Sequence, residues 1–202
     1  MLSAKDLIPV FSWLLQRGRC RYCGVQLSRT YIQVEVFFAL CFILLAYFSD
    51  QACASTMPLF LLECGLLFLL LIMSCFDYCY LFVPDRFMLC FFTFLLLYIS
   101  WSELAMQVPL SFIEQPLAHI ILLAGFYLIY QLFPSFIGGA DIKFMMMISF
   151  LSLDRFSMVI LLASLCGIAY YIILSIENPS PYIQIPFIPC LSFSFFLVQW
   201  VF

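Results

Sequence analysis

The chain has 202 residues, of which 66% are hydrophobic and only 9% are charged, and its formal net charge is −3. A soluble domain of this length needs a largely polar outer layer, so this composition excludes a soluble globular protein and indicates a lipid bilayer around most of the surface. The charge balance gives no reason to expect a nucleic-acid partner.

Residues 1–30 form a short basic segment that precedes the first long apolar run. Five of the eight Lys and Arg residues lie in this segment, namely Lys5, Arg17, Arg19, Arg21 and Arg29. The positive-inside rule therefore predicts a cytoplasmic N-terminus. The segment also carries one Cys-x-x-C pair, Cys20 and Cys23. We expect these thiols to stay reduced on that side of the membrane.

Residues 31–202 are expected to form one membrane-embedded, all-α domain. Seven apolar windows are candidate spans: 31–48, 57–76, 87–101, 116–133, 142–153, 156–176 and 187–202. The third, fifth and seventh are short for a hydrocarbon layer of about 30 Å, so the sequence predicts a polytopic bundle of six to seven helices. Alternation from a cytoplasmic start places the acidic connection 102–115 outside, and the connections 77–86 and 135–143 inside.

Two aspartates stand apart among the ionisable residues near these spans. Asp77 ends the second window, and Asp141 follows Gly138 and Gly139, so both are predicted at the cytoplasmic edge. Two carboxylates held close together cannot both ionise cheaply, so one of them keeps its proton. The ionised member can deprotonate a water while the protonated member polarises a peptide carbonyl. The glycine pair breaks the helix and admits a substrate strand, and we place Lys143 in the same substrate-binding loop.

Other ionisable residues have simpler interpretations. Asp85 follows Pro84 and is typical of a helix start. His119, the single histidine, is expected to pack within a span or at its boundary, and Glu35 and Glu63 are expected to form hydrogen bonds within the bundle.

A competing hypothesis is a transporter or channel component in which Asp77 and Asp141 bind a cation or relay protons. Such a path requires polar residues through the depth of the spans. The sequence instead places its polar residues mainly at one edge, which favours hydrolysis over transport. Taken singly, either aspartate is also compatible with a solvated helix cap.

Three segments of this sequence carry a family resemblance. The first is the basic segment with Cys20 and Cys23, followed by Glu35; the second is Asp77 with Pro-Asp at residues 84–85; the third is Gly-Gly-Ala-Asp-Ile-Lys at 138–143. In this order they resemble the type IV prepilin peptidases, membrane aspartic proteases with a GxGD-type motif. Ile-Pro-Phe-Ile-Pro at 185–189 is similar to the final loop of that family.

The resemblance implies that Asp77 and Asp141 are catalytic and that proteolysis needs no cofactor. It implies removal of the leader, after a glycine, from prepilin or pseudopilin precursors that serve pili, secretion or DNA uptake. Cleavage would take place at the cytoplasmic face of the bacterial cytoplasmic membrane.

Two departures from the family pattern affect these expectations. Ala140 stands where the family usually has glycine, and a positive φ there would add strain. Full-length relatives begin with another span and a second Cys-x-x-C, whereas Cys20 and Cys23 are only half of a four-thiolate zinc site. Either the other ligands come from elsewhere, or no metal binds, or the sequence starts too late. We favour a missing N-terminal part or a family member shortened there, and we do not predict methylation with S-adenosylmethionine. A catalytically inactive family member is a third hypothesis.

Overall fold

The computed structural model describes residues 3, 6, 8–51, 57–106, 115–132, 138–177 and 185–201. These residues divide into two compact units, Met1–Tyr47 and Phe48–Phe202. The described residues contain helices and one isolated antiparallel bridge, between Arg19 and Gln26, so the expectation of an all-α chain is confirmed. Lys5, Glu114 and Phe202 lie outside the described residues.

The first unit combines a short helix with most of a long one. Helix α1 spans Phe11–Leu15, and α2 spans Arg29–Gln51, continuing beyond the boundary of the unit. The Glu35 carboxylate accepts a hydrogen bond of 2.7 Å from the backbone N–H of Val10. The bond predicted for Glu35 therefore exists, but its partner is the backbone of the N-terminal segment.

The second unit is built from six helices among the described residues. They are α3 Met57–Tyr80, α4 Asp85–Met106, α5 Pro116–Leu132, α6 Gly139–Ile148, α7 Leu153–Glu177 and α8 Ile188–Phe196. A π-helical turn, Leu197–Val201, continues α8. Helix α8 packs against α3, α6 and α7, and α6 also contacts α4 and α5.

The turn between α3 and α4 sets the position of the residues that follow Asp77. The N–H of Leu81 donates to the backbone oxygen of Asp77 at 2.8 Å, and Leu81 itself has a φ of +52°. Left-handed backbone costs a non-glycine residue about 1–2 kcal/mol, so this turn stores strain beside the site. After Pro84, α4 begins at Asp85, as predicted.

A fully buried aromatic cluster ties three helices of the second unit together. The rings of Phe91 on α4 and Phe144 on α6 stack with their centroids 5.1 Å apart. The ring of Phe195 on α8 meets Phe91 edge-on at 5.9 Å. All three side chains are fully buried. Because close-packed interiors resist displacement, this cluster fixes α6 against α8.

Within the part of the chain that the structure describes, four helices are long and apolar enough to cross a bilayer, over Tyr31–Phe48, Met57–Tyr80, Asp85–Ser102 and Leu153–Ile176. Two further apolar helices, Pro116–Leu132 and Ile188–Trp200, are shorter than these four. The third apolar window, 87–101, is thus part of a helix long enough to cross the bilayer, α4. The fifth window is not, since α6 has 10 residues and a length of about 15 Å, half the hydrocarbon thickness.

Candidate active site

Asp77 lies in the last turns of α3 and is held by the start of α8. Its side chain is buried, with 7% of its surface exposed. Its Oδ2 accepts a hydrogen bond of 3.0 Å from the backbone N–H of Ile188, the first residue of α8. Pro189 in the first turn of α8 has no N–H to orient, which suits the start of a helix. A backbone donor at a helix N-terminus stabilises a carboxylate in its charged form.

Asp141 lies in the first turn of α6, two residues after Gly139. Gly138 caps this helix with extended backbone, φ −61° and ψ 134°, and Gly139 is its first residue. The Asp141 carboxylate folds back over Gly138, so that a Cβ on Gly138 would lie 2.7 Å from Oδ2. The predicted helix break at the glycine pair is thus present, and its immediate role is to make room for the Asp141 carboxylate.

The two carboxylates lie close enough to interact electrostatically. Burial, and then the negative charge of Asp77, raise the pKa of Asp141 to about 7. Asp141 lies on α6, outside the spanning segments. The backbone N–H of Ile188 favours the charged form of Asp77, and the raised pKa of Asp141 favours its protonated form, an arrangement suited to a pair that shares one proton.

Lys143 and Asp85 form an ion pair beside these aspartates. The Nζ of Lys143 lies 2.6 Å from Oδ1 of Asp85, and both side chains are exposed. This contact links the second turn of α6 to the first turn of α4. Lys143, predicted for the substrate loop, thus has an intramolecular partner, and Asp85 does more than begin a helix.

Ala140 is the second residue of α6 and has helical backbone. It is absent from the non-glycine residues with positive φ in the described part of the chain. The strain that a positive φ would have caused at Ala140 therefore does not arise.

Cys190 is a neighbour of the pair that the sequence did not single out. Its position in the first turn of α8 places it within electrostatic range of Asp77, Asp141 and Cys166. Both cysteines lie within apolar runs of the sequence, where a thiol is typical of a small apolar residue. The juxtaposition depends on how α7 and α8 pack, for which the sequence carries no local signal.

A second polar cluster, Glu63, Tyr98, Arg155 and Gln199, occupies the opposite end of this unit. The amide Nε2 of Gln199 donates to the Tyr98 hydroxyl at 2.7 Å, and Nη1 of Arg155 donates to Oε1 of Gln199 at 3.4 Å. Glu63 is buried and interacts electrostatically with Tyr98. The prediction that polar residues gather mainly at one edge was therefore incomplete.

His119 packs inside the unit, as predicted. It is buried, its Nδ1–H donates to the backbone oxygen of Ser149 at 2.6 Å, and its ring stacks on Phe150. These contacts tie α5 to the end of α6 and leave His119 with a structural role.

Cys20 and Cys23 lie on a tight turn in the first unit. Gly24 has a φ of +69°, and its N–H donates to the Cys20 backbone oxygen at 2.9 Å. Hydrogen bonds from the backbone N–H groups of Cys23 and Tyr22 lower the pKa of the Cys20 thiol. This turn therefore favours the thiolate form of Cys20. The described residues contain no group of three or more His, Cys, Asp or Glu that could hold a metal ion.

Comparison with protein families gives two matches along the chain. The model described as the type IV leader peptidase family matches residues 64–172, which include both Asp77 and Asp141. The model described as the bacterial peptidase A24 N-terminal domain matches residues 1–49. Helix α8, whose first residue donates a hydrogen bond to Asp77, lies beyond both matches.

Two curated proteins are similar to this chain. A "Prepilin leader peptidase/N-methyltransferase" of Pectobacterium carotovorum subsp. carotovorum is 27% identical over 181 residues, covering 85% of this chain and 60% of that protein. A "Type 4 prepilin-like proteins leader peptide-processing enzyme" of Escherichia coli O78:H11 (strain H10407 / ETEC) is 44% identical over 43 residues, covering 21% of this chain and 16% of that protein. The chain thus spans 60% or less of the length of these relatives. No solved structure matches it.

Proposed function

The chain belongs to the type IV leader peptidase family, and from this premise we propose that it is a membrane aspartic endopeptidase that removes the leader from prepilin or pseudopilin-like precursors. The observation that carries the proposal is the pairing of the Asp77 and Asp141 carboxylates. One carboxylate has a backbone donor from Ile188, and the other has a pKa raised to about 7, so that a large share of it keeps its proton near neutral pH. These are the two states that an aspartic protease requires.

In the proposed reaction, Asp77 is the general base and Asp141 the general acid. Asp77 takes a proton from a water whose oxygen attacks the scissile carbonyl carbon, while Asp141 gives its proton to the carbonyl oxygen. The resulting tetrahedral diol then collapses: the C–N bond breaks, Asp77 returns its proton to the leaving amine, and Asp141 recovers a proton from a diol hydroxyl. The cycle ends with both side chains in their starting states and uses one water.

The proposed site suits a substrate that is itself anchored in the membrane. We place the N-terminus and the aspartate pair on the cytoplasmic side of the bacterial cytoplasmic membrane, which the basic residues of segment 1–30 support. A precursor with a membrane-inserted helix presents the start of that helix at the bilayer surface. Proteolysis in this scheme needs neither zinc nor S-adenosylmethionine, and we propose no methylation.

The packing between the two polar ends favours hydrolysis over transport. A proton or cation path needs polar groups through the depth of the bundle. In the described part of the second unit, the buried rings of Phe91, Phe144 and Phe195 lie between the aspartate pair and the cluster around Tyr98. This apolar cluster interrupts the path that the transporter hypothesis requires.

The test is cleavage of a prepilin-like precursor, with a glycine before its hydrophobic helix, by membranes that contain the protein. The wild type is expected to release the leader, and mass spectrometry of the product should place the cut after that glycine. The double variant Asp77→Asn/Asp141→Asn is expected to release none. Asp154→Asn, which removes an exposed carboxylate at the start of α7, is the matched control and should cut like the wild type. A double variant that still cuts would contradict the proposal.

The pH dependence of cleavage should reflect the proton on Asp141. Because the pKa of Asp141 is raised to about 7, its acid form is lost as the pH rises through that value. The value of kcat is therefore expected to fall above about pH 7, approaching about tenfold per further pH unit. Leader cleavage measured in membranes from about pH 5 to 9 checks this result. An activity that rises steadily across that range would contradict the role of Asp141 as the acid.

A further inference from the structure

Helix α8 connects the aspartate pair to the second polar cluster. At its first residue, the buried N–H of Ile188 donates to Asp77. In the π-helical turn that continues it, Gln199 bonds to Tyr98 on α4 and to Arg155 on α7. The two ends are 11 residues apart, a distance of about 16 Å along a helix axis.

The segment between these ends is packed so that it moves as one piece. Ile188, Leu191 and Phe195 are fully buried, and Phe195 is locked against Phe91. Gly167 of α7 lies close to the Phe187 ring, which directly precedes α8: a Cβ on Gly167 would lie 3.0 Å from a carbon of that ring. Close-packed helices shift as rigid bodies more readily than they deform. A displacement at Gln199 therefore reaches Ile188.

Gln199 is joined to Tyr98 and Arg155 by hydrogen bonds, although apolar side chains at these positions would pack the helices equally well. The Tyr98 ring is 7% exposed, so its hydroxyl and the Gln199 amide meet in largely buried surroundings, where a lost partner is costly. The π-helical turn changes the residue spacing at the end of α8, and such turns occur frequently at functional sites.

We propose that Gln199 and Tyr98 are positioning residues that fix α8 along its axis and thereby hold the Ile188 N–H on the Asp77 carboxylate. The proposal deepens the assigned peptidase function and rests on it for its kinetic consequence. Its structural consequence, the bond between Ile188 and Asp77, is measurable without any cleavage. Failure of the peptidase function and failure of this inference therefore give different results.

The experiment combines hydrogen exchange and kinetics on the full chain in lipid. Pro186 and Pro189 carry no amide hydrogen, so in a peptide covering 186–189 only Phe187 and Ile188 can report. Gln199→Leu and Tyr98→Phe each remove the bond between Gln199 and Tyr98. Gln199→Glu keeps the acceptor for Arg155, and its carboxylate accepts a hydrogen bond from the Tyr98 hydroxyl where the amide donates one, so this variant serves as the rescue. Ser157→Ala, which removes an exposed hydroxyl on α7, is the control. Asp77→Ala shows the exchange expected when the acceptor is gone.

Gln199→Leu and Tyr98→Phe are expected to speed exchange of the Ile188 amide by about tenfold, with α4 unchanged. They should lower kcat by about fivefold, the effect of one hydrogen bond, with KM unchanged. Gln199→Glu should restore both values, and Ser157→Ala should alter neither. Unchanged exchange at Ile188 in both variants would overturn the proposal, and so would exchange that rises equally throughout α3 and α4. If the wild type cuts no precursor, the peptidase function fails, and the exchange data alone decide this inference.

Discussion

Replacement of either aspartate by asparagine is expected to lower kcat for leader cleavage by about 10³-fold, within the range that a positioned general acid or base contributes. Asparagine keeps the size and hydrogen-bonding capacity of aspartate but has no titratable proton. Asp77→Asn therefore leaves the attacking water without a base. Asp141→Asn leaves the scissile carbonyl without an acid. Both variants are expected to fold, since the carboxamide oxygen at residue 77 can still accept the N–H of Ile188.

The residual activities of the two variants should differ in their response to pH. In Asp77→Asn the negative charge that helps raise the pKa of Asp141 is gone, so that pKa falls below about 7. The alkaline decline then begins at a lower pH than in the wild type. In Asp141→Asn the decline with a midpoint of about 7 should disappear, because its titrating group is absent.

Single-turnover cleavage in membranes, with protein amounts matched by immunoblot, measures these differences. Asp85→Asn is a useful comparison because it removes a nearby, exposed carboxylate that belongs to the Lys143 ion pair and not to the aspartate pair. Cleavage at the wild-type rate by Asp77→Asn or Asp141→Asn would show that the altered residue is not catalytic.

The class of fold was readable from the sequence because the bilayer imposes its own rules. Runs of apolar residues long enough to span it are recognisable one at a time, and Pro84 with Asp85 marked the start of α4. Helix lengths were harder to predict, since apolar composition does not define where a helix ends. The apolar window 87–101 belongs to α4, which has 22 residues, and the window 142–153 to α6, which has 10. The interaction between Ile188 and Asp77 joins residues 111 apart, and no local pattern encodes such a contact.

The candidate site was predictable only as far as its local motifs reach. Asp77 and Asp141 were identified from the ends of predicted spans and from the glycine pair. The partners of these motifs were not, because Lys143 with Asp85 and Gln199 with Tyr98 are joined by the packing of separate helices. The separate roles proposed for the two aspartates also depend on that packing, since it is Asp77 that receives the backbone donor of α8.

The glycine pair allows a test of how Asp141 is positioned, in which a methyl group is added either at Gly138 or at the next residue, Gly139. In Gly138→Ala the new Cβ would lie 2.7 Å from Oδ2 of Asp141, closer than real Cβ contacts. The backbone at Gly138 is extended, with φ −61°, so alanine causes no backbone strain. The atom that must move is the end of the Asp141 side chain, which can rotate away at small cost to the fold. We therefore expect normal folding, with kcat lowered by about 100-fold through misplacement of the catalytic carboxylate.

Gly139→Ala is the matched control for this prediction, because a Cβ on Gly139 meets nothing closer than a Tyr130 ring carbon at 3.9 Å. This variant should cut within about twofold of the wild type, since alanine also favours the first turn of α6. Cleavage rates of the two variants, compared at equal thermal stability in detergent, separate the steric effect on Asp141 from any general need for a flexible loop. Equal and large losses in both variants would contradict the steric explanation and indicate that the substrate needs both glycines for close approach. Normal cleavage by Gly138→Ala would show that Asp141 acts from a position different from the one it occupies over Gly138.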